Sequence, residues 1–405
     1  MCGICGIFGE NAPDKVKTMI DSIKHRGPDG ESISNFPWGT VGFCWLDIFG
    51  PNNKTQPAIS KENKLTVVFN GEIYNFDELK VLVKHKEIID EANLILELYC
   101  LFAEKTFEKL KGMYAIAILT PEKIILARDY IGIKPLVYFR EGPKLYFASE
   151  IKSLLRVCEV NIEINEDSLA EAAIFGFIFS LDETMIRNIK QLLPGSYLTF
   201  DGHNIQITRF KETKKSFYGN EKWFNETVNE CFSNLMDKSA NLHVKHAKGD
   251  QAIYLSGGLD SSLMSYFLQK NSSEKLFTYN LFDDQNSEDK LYAKKIANQL
   301  GTAHIEYETN VDECIKFLPH YIYHYESLVT DGMFNVLGSL AFHILSSKIG
   351  QKHKVAYCGE GADELFGGYY WLHAHPLGVG DRLRNKSLKV NNGNTKINEY
   401  IMKYF

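Results

Sequence analysis

The stretch QAIYLSGGLDSSLMSYFL, residues 251–268, constrains the fold more than any other. An apolar run suited to a buried strand meets Ser-Gly-Gly and passes straight into a helical pattern. The same alternation extends on both sides. A helical pattern covers Glu221–Leu242, and the strand QAIYL and the helix after SGGLDSS follow it. Next come the strand KLFTYNLF, a helix over Ser287–Leu300 and the strand AHIEYE. Helical stretches over Asp312–Tyr325 and Asn335–Ile349 then lead to the strand KVAYC. Strand and helix in regular succession predict a parallel, doubly wound sheet with helices on both faces.

Residues 1 to about 205 read differently. Short runs rich in Val, Ile, Leu, Phe and Tyr dominate: KLTVVFN, MYAIAIL, KIILARD, LVYF and KLYFAS. EGPK between the last two predicts a hairpin turn. Leu94, Leu98 and Leu101 recur at helical spacing, which predicts a helix over Glu91–Ala103. This half reads as packed sheets with some helices. The polar stretch RFKETKKSFYGNEKW, residues 209–223, is the expected boundary, giving domains at 1–208 and 220–405. The final residues from Gly380 are polar and rich in Lys and Asn, as in a weakly ordered tail or a short exposed helix. No internal repeat is apparent.

Composition excludes several classes. A net charge of −6 leaves no basic footprint for nucleic acid. No window approaches the roughly 20 apolar residues of a membrane helix, and the N-terminus lacks the regions of a signal peptide. The eight cysteines are scattered, and the Cys2–Cys5 spacing has no second pair or nearby His to complete a zinc site. Free thiols and a cytoplasmic setting are expected.

Three stretches carry chemistry. In YLSGGLDSSL the glycines let backbone N–H groups approach a phosphate, and the helix N-terminus adds partial positive charge. Ser256, Ser261 and Ser262 offer hydroxyls, while Asp260 beside phosphate points to a bridging Mg²⁺. No Gly-Lys-Ser/Thr follows, so this is not a Walker loop. CGEGADELFGGY (358–369) again opens a helix after an apolar strand, and parallel strands deliver their loops to one edge. Glu360 and Asp363 therefore face the first loop, and Asp260 with Asp363 is a candidate pair for Mg²⁺. Glu364 reads as a complement to the helix dipole. Finally, MCGICGIFG places Cys2 behind the initiator methionine. Trimming of Met1 would leave a thiol beside a free α-amine of pKa near ~8, an internal base for a nucleophile; an apolar start of this kind also suits a buried strand.

These stretches, with HRGPDG, FNGEIYN, KGMYAIAI, ARDYIGIKPL, FASEIKSLL and LPGSYL, run in order from residue 1 to about 370. In this the chain resembles the glutamine-hydrolysing asparagine synthetases. The resemblance implies an α/β protein. An N-terminal αββα sandwich of the N-terminal-nucleophile type would act as glutamine amidotransferase, followed by a doubly wound ATP-pyrophosphatase domain. It implies Cys2 as nucleophile, with the Asn70 side chain and the Gly71 N–H as oxyanion hole. Glu72 and Glu91 would bind glutamine. Leu255, Ser256, Gly257, Gly258, Asp260, Ser261, Ser262 and Gly359 would bind ATP, Asp260 and Asp363 would hold Mg²⁺, and Glu360 would lie near the reacting carboxylate. Ammonia freed at Cys2 would be carried inside the protein to a carboxylate adenylated by ATP.

The sequence departs from the family pattern in places. Trp45 stands where the family has an arginine for the carboxylate of glutamine, and an indole has one donor where a bidentate fork is needed. Arg26 is the candidate compensator. Asp90 or Glu91 supplies the acid for the amino group, and Cys358 replaces a serine. Only residues 370–405 follow Tyr369, where the family has a long helical region bearing a lysine for the reacting phosphate. Lys386, Lys389 and Lys396 are available, or a partner subunit completes the site. The expected activity is an ATP-dependent, glutamine-using amide ligase, acting on aspartate or another carboxylate. Homodimer formation is also expected. The competing reading is a nucleotide-binding regulatory protein or subunit with impaired glutaminase.

Overall fold

The computed structural model describes residues 1–48, 56–62, 64–83, 88, 90–158, 162–175, 178, 180–211, 226–245, 247–326 and 336–368. Most of the expected boundary, the tail beyond Gly368 and its lysines lie outside these residues.

The first half contains β1 (Gly3–Phe8), β2 (Gly30–Phe36), β3 (Gly39–Trp45), β4 (Ala58–Ser60), β5 (Leu65–Ile73) and β6 (Gly112–Leu119). It continues with β7 (Ile124–Arg128), β8 (Val137–Glu141), β9 (Lys144–Ala148), β10 (Lys190–Gln191), β11 (Ser196–Phe200) and β12 (Ile205–Arg209). Its helices are α1 (Pro13–Ile23), α2 (Phe76–Lys80), α3 (Glu91–Phe102), α4 (Thr106–Lys109), α5 (Ile151–Leu155) and α6 (Glu166–Phe175). One sheet runs β10-β8-β9-β1-β3-β2 and the other β12-β11-β7-β6-β5-β4. Every pairing in them is antiparallel.

Three apolar cores show how these layers stack. Ile4, Phe8 and Phe43 of the first sheet meet Val68, Ala117 and Leu126 of the second. The outer face of the first sheet packs Cys5 and Ile7 against Val16, Met19 and Ile20 of α1 and Leu154 of α5. The outer face of the second packs Val67, Ile116 and Ile118 against Leu94, Ile95 and Leu98 of α3. Helix, sheet, sheet, helix is therefore the order of layers. Period-two alternation assigns successive residues of one strand to different cores. The EGPK turn joins β8 to β9, and α3 ends one residue short of the expected Ala103.

The second half contains α7 (Glu226–Val244), β13 (Gln251–Tyr254), α8 (Leu259–Asn271), β14 (Phe277–Phe282), α9 (Glu288–Leu300) and β15 (Ala303–Glu308). Then follow α10 (Val311–Tyr325), α11 (Val336–Gly350), β16 (Val355–Tyr357) and α12 (Ala362–Phe366). The order β15-β14-β13-β16 is parallel throughout. Ile253 faces α7 and α8, whereas neighbouring Ala252 faces Leu345 and Ile349 of α11, so the sheet is covered on both sides. The loops after β13 and β16 leave adjacent strands at the same edge.

Charged side chains join the halves. Lys354 pairs with Asp29 at 2.8 Å and Lys248 with Asp47 at 2.6 Å. Glu326, just past α10, accepts hydrogen bonds from the Ile151 and Lys152 backbone N–H groups at 2.6 and 2.8 Å. It thereby caps α5 from across the junction, satisfying donors that a helix start leaves open. Lys152 bridges Glu326 to Glu150, which holds Arg26 at 2.7 Å. Arg26 donates to the Cys2 carbonyl at 3.0 Å.

Replacing Glu326 by Ala removes both acceptors and leaves part-buried donors unpaired, at an expected cost of about 1–3 kcal/mol. Lys245→Ala breaks only the exposed pair with Asp77 and is expected to stay within about 0.5 kcal/mol of wild type. Urea unfolding of the two variants against wild type measures both.

Candidate functional site

β1 is a central strand, paired to β3 on one side and β9 on the other, and all six of its residues are buried. This fixes the backbone on which Cys2 stands. The Sγ atom accepts from the Leu46 N–H at 3.4 Å. Burial pushes the thiol pKa up, and the N-terminal charge and Lys134 pull against it. The Met1 α-amine is lowered to about 5, first by burial and then by Arg26. An amine of low pKa is neutral at pH 7 and free to take a proton.

Cys2 opens into a cavity of about 570 Å³ lined by Trp45, Asn70, Gly71, Glu72, Asp90, Glu91 and Lys134, among others. Asn70 is 1% exposed, and its Nδ2 donor has no hydrogen-bond partner. A buried orphan donor is costly unless a ligand uses it. Gly71 pairs with Tyr114 of β6, whose own N–H and C=O are engaged by Asp129. The Gly71 N–H therefore points to the opposite edge of β5, beyond the end of β4 at its Val67 pairing. A Cβ at Gly71 would lie 2.1 Å from the Met113 carbonyl, so only glycine permits this approach.

The two acids expected for the glutamine amine separate in role. Asp90 accepts from the Asn93 N–H at 2.8 Å and caps α3. Glu91, buried, accepts from the Ile73 N–H at 2.5 Å and faces Glu72 electrostatically. Burial raises the Glu72 pKa to about 7 against the opposing pull of Lys134, and Glu91 is raised well above its ordinary value. Two acids pressed into one buried space hold protons that a bound cation would release.

Arg26 does not line this cavity. Its Nε donates to the Cys2 carbonyl and its Nη1 to Glu150, and Nη2 approaches Met1 Sδ at 3.9 Å. Burial works to raise the Glu150 pKa, but the bonds from His25, Arg26 and Lys152 hold it far below the carboxylate range. Arg26 is thus a buttress of the start of β1 rather than the compensating clamp that the sequence suggested, because its fork is spent on Glu150 and backbone. Lys134, which sequence reasoning passed over, is the basic side chain that lines the cavity. Its signal was present as a lysine inside the apolar run GIKPL.

The second site is a cleft of about 630 Å³ at the C-terminal edge of the parallel sheet. Ser256, Asp260 and Ser261 line it from the first loop, and Cys358, Gly359, Glu360 and Asp363 from the second. Gly257 has φ +88°, and a Cβ there would lie 2.6 Å from the Ala293 N of α9, so this glycine is dictated by packing. Gly258 caps α8. The Ser256 and Ser261 hydroxyls lie 2.9 Å apart, aligned by the Gly258 backbone. A Cβ at Gly359 would come within 3.2 Å of the Ser261 N, so the two loops pack directly together. Ser262 does not line the cleft; its Oγ is buried and unpaired. Leu255 lines an adjoining hollow with Tyr254, Tyr279, Asn280 and Phe342. Asp260 and Asp363 are oxygen donors on one cleft, a set suited to a hard cation whose remaining ligands are phosphate and water. No group of three or more His, Cys, Asp or Glu among the described residues forms a ready cage.

Between the halves lies a third cavity. Ile48, Glu72, Tyr74 and Met113 line it from the first half, and Leu242, His243, Val355 and Tyr357 from the second. Ile48 and Glu72 also line the Cys2 cavity. Tyr357 ends β16, one residue before the acidic loop.

Comparison with known proteins places this geometry. Residues 1–211 of the 405 match the glutamine amidotransferase domain, and residues 232–404 match asparagine synthase. The chain belongs to the glutamine amidotransferase family, with an asparagine synthase segment behind the amidotransferase segment. It is similar to an asparagine synthetase [glutamine-hydrolyzing] 1 of Bacillus subtilis, 31% identical over 395 residues, covering 94% of this chain and 60% of that protein. Asparagine synthetase B of Escherichia coli is 28% identical, with 93% and 66% covered. The chain thus spans about three-fifths of the length of the Bacillus relative. Among solved structures, the allosteric regulatory enzyme of purine biosynthesis aligns with a TM-score of 0.42 and 15% identity, over 76% of this chain and 80% of that one. No helix among the described residues is long and apolar enough to cross a membrane.

Glu72 yields a pH test. Its folded pKa of about 7 stands above the ordinary value of 4.5, so the folded state keeps a proton that the unfolded chain releases. Stability contributed by that proton is lost as pH rises from 4.5 to 7. Glu72→Gln is therefore expected to melt higher than wild type at pH 8 and to lose that advantage at pH 4.5, read as Tm across the range.

Proposed function

We propose that this chain is an ATP-dependent amide ligase that draws nitrogen from glutamine at Cys2 and delivers it to a carboxylate activated at the parallel-sheet cleft. One observation carries the reading. The cavity between the halves shares Ile48 and Glu72 with the Cys2 cavity, and it reaches the strand that ends at the acidic loop. A hydrolase alone needs no such passage, and a nucleotide-binding module alone needs no thiol at its far end. The chain's relatives are asparagine synthetases, which makes aspartate the first acceptor to test.

In this reading, Met1 is removed and the Cys2 α-amine takes the thiol proton. The Sγ–C bond forms at the carboxamide, and Asn70 Nδ2 and the Gly71 N–H donate to the oxygen as it becomes negative. The C–N bond breaks, and ammonia leaves with the proton returned by the amine. Water then cleaves the thioester to glutamate. Ammonia crosses between Tyr74, His243 and Tyr357. At the second site, backbone N–H groups and Ser256 and Ser261 hydroxyls cradle the ATP phosphates. The acceptor carboxylate attacks the α-phosphorus, pyrophosphate leaves, and ammonia displaces AMP from the acyl adenylate. Mg²⁺, held by Asp260 and Asp363, would offset phosphate charge. Cytoplasmic operation and a homodimer or completing subunit belong to the same proposal.

The test is AMP and amide formation from aspartate, ATP and Mg²⁺, with either glutamine or ammonium as donor. Cys2→Ala is expected to abolish the glutamine-driven reaction and spare the ammonium-driven one. Asn70→Ala is expected to lower glutamine-driven kcat by about 10²–10³. Equal loss with both donors would remove the two-site reading.

A further inference from the structure

The cavity at Cys2 is built for a zwitterion, and its basic end has no assigned role. Its acidic side is supplied by Glu72 and Glu91, which suit an ammonium group. Lys134 is the one basic side chain among the described residues that line it. It is 4% exposed, and burial lowers its pKa to about 8.

The backbone around Lys134 is rigidly prepared. The Lys134 N–H donates to Asp129 Oδ2 at 2.9 Å, and its carbonyl accepts from Arg128 Nε at 2.8 Å. Asp129, fully buried, also accepts from the Ile133 and Tyr114 N–H groups, and Arg128 donates to the Leu192 and Gly132 carbonyls. By contrast, the Lys134 ammonium has Met1 Sδ, 3.2 Å from Nζ, as its hydrogen-bond contact, and Glu72 acts on it through charge without an ion-pair contact. Arg26 Nη2 approaches the same sulfur at 3.9 Å. Thioether sulfur is a weak acceptor, so the buried ammonium keeps donors for an anion that can hydrogen-bond to it. Met1 thus occupies a space bounded by two cations, and its removal would leave that space open to an anion.

We propose that Lys134 is the cation that fixes the α-carboxylate of the amide-donor amino acid, in a subsite completed by loss of Met1. The inference rests on the reading of the Cys2 cavity as the donor pocket. It places specificity in a lysine presented by the loop between β7 and β8. Trp45, on β3, then serves as an apolar wall. Arg26 stays with Glu150 and contributes field rather than contact.

The experiment uses the full chain with Met1 removed, verified by mass, and reads the rate at which iodoacetamide alkylates Cys2. L-glutamate and L-isoglutamine are the competing probes. They share the amine and the γ-carboxylate, but isoglutamine carries an amide in place of the α-carboxylate. L-glutamate is expected to protect at a concentration at least tenfold lower than L-isoglutamine. Lys134→Met is expected to erase that preference, and Lys134→Arg to restore it. Lys134→Gln is a second neutral variant, and the wild-type comparison stands even if neither neutral variant folds. Equal protection by the two probes, no protection by L-glutamate, or a preference that survives in Lys134→Met would each overturn the proposal. Protection with the expected preference but no Cys2-dependent release of ammonia from glutamine would overturn the donor reaction and leave the Lys134 subsite standing.

Discussion

The double pairing of β1 is the constraint on which the rest depends. A strand hydrogen-bonded on both edges, with residues buried on both faces, has no freedom to slip in register. Cys2 is the residue before it, so its thiol inherits that rigidity. The other components of the site are arranged around this fixed point. Asn70 and Gly71 come from β5 in the facing sheet, Trp45 from the end of β3, and Glu91 from the start of α3. Asn70, Gly71 and Glu91 are brought to Cys2 by packing across the sheets and Trp45 by the pairing of β3 with β1, none of them by proximity in sequence.

The ionic chain from Glu326 through Lys152, Glu150 and Arg26 to the Cys2 carbonyl ties this point to the second half. Buried ion pairs add little net stability when desolvation is counted. Their geometric demand is what matters here, since each member has few alternative partners. The end of α10 and β1 are therefore held in one arrangement, with a cavity lined from both halves between them.

Much of this was legible in the sequence because the signals are local. The strand AHIEYE is found over the expected residues, and Ser287 and Gly301 cap α9 as polar and left-handed positions should. The loops SGGLDSS and GEGADE do share a cleft, as parallel strand order required. The assignment of Arg26 was misjudged for a physical reason. A guanidinium can bond several groups, and sequence does not say that Glu150, 124 residues away, has taken it. Ser262 was likewise grouped with Ser256 and Ser261, although the helical turn rotates it away from the cleft.

By itself, the sequence determined which segments are strands and helices, that the second half is parallel, and which residue types carry chemistry, because periodicity and turn chemistry act over a few residues. Only the tertiary structure decided that Arg26 buttresses a strand, that Asp90 caps a helix while Glu91 binds the Ile73 N–H beside Glu72, and that Lys134 is the basic side chain presented to the Cys2 cavity. Those outcomes turn on competition for partners across the sheets, and such competition is settled by distance in space, which no local pattern records.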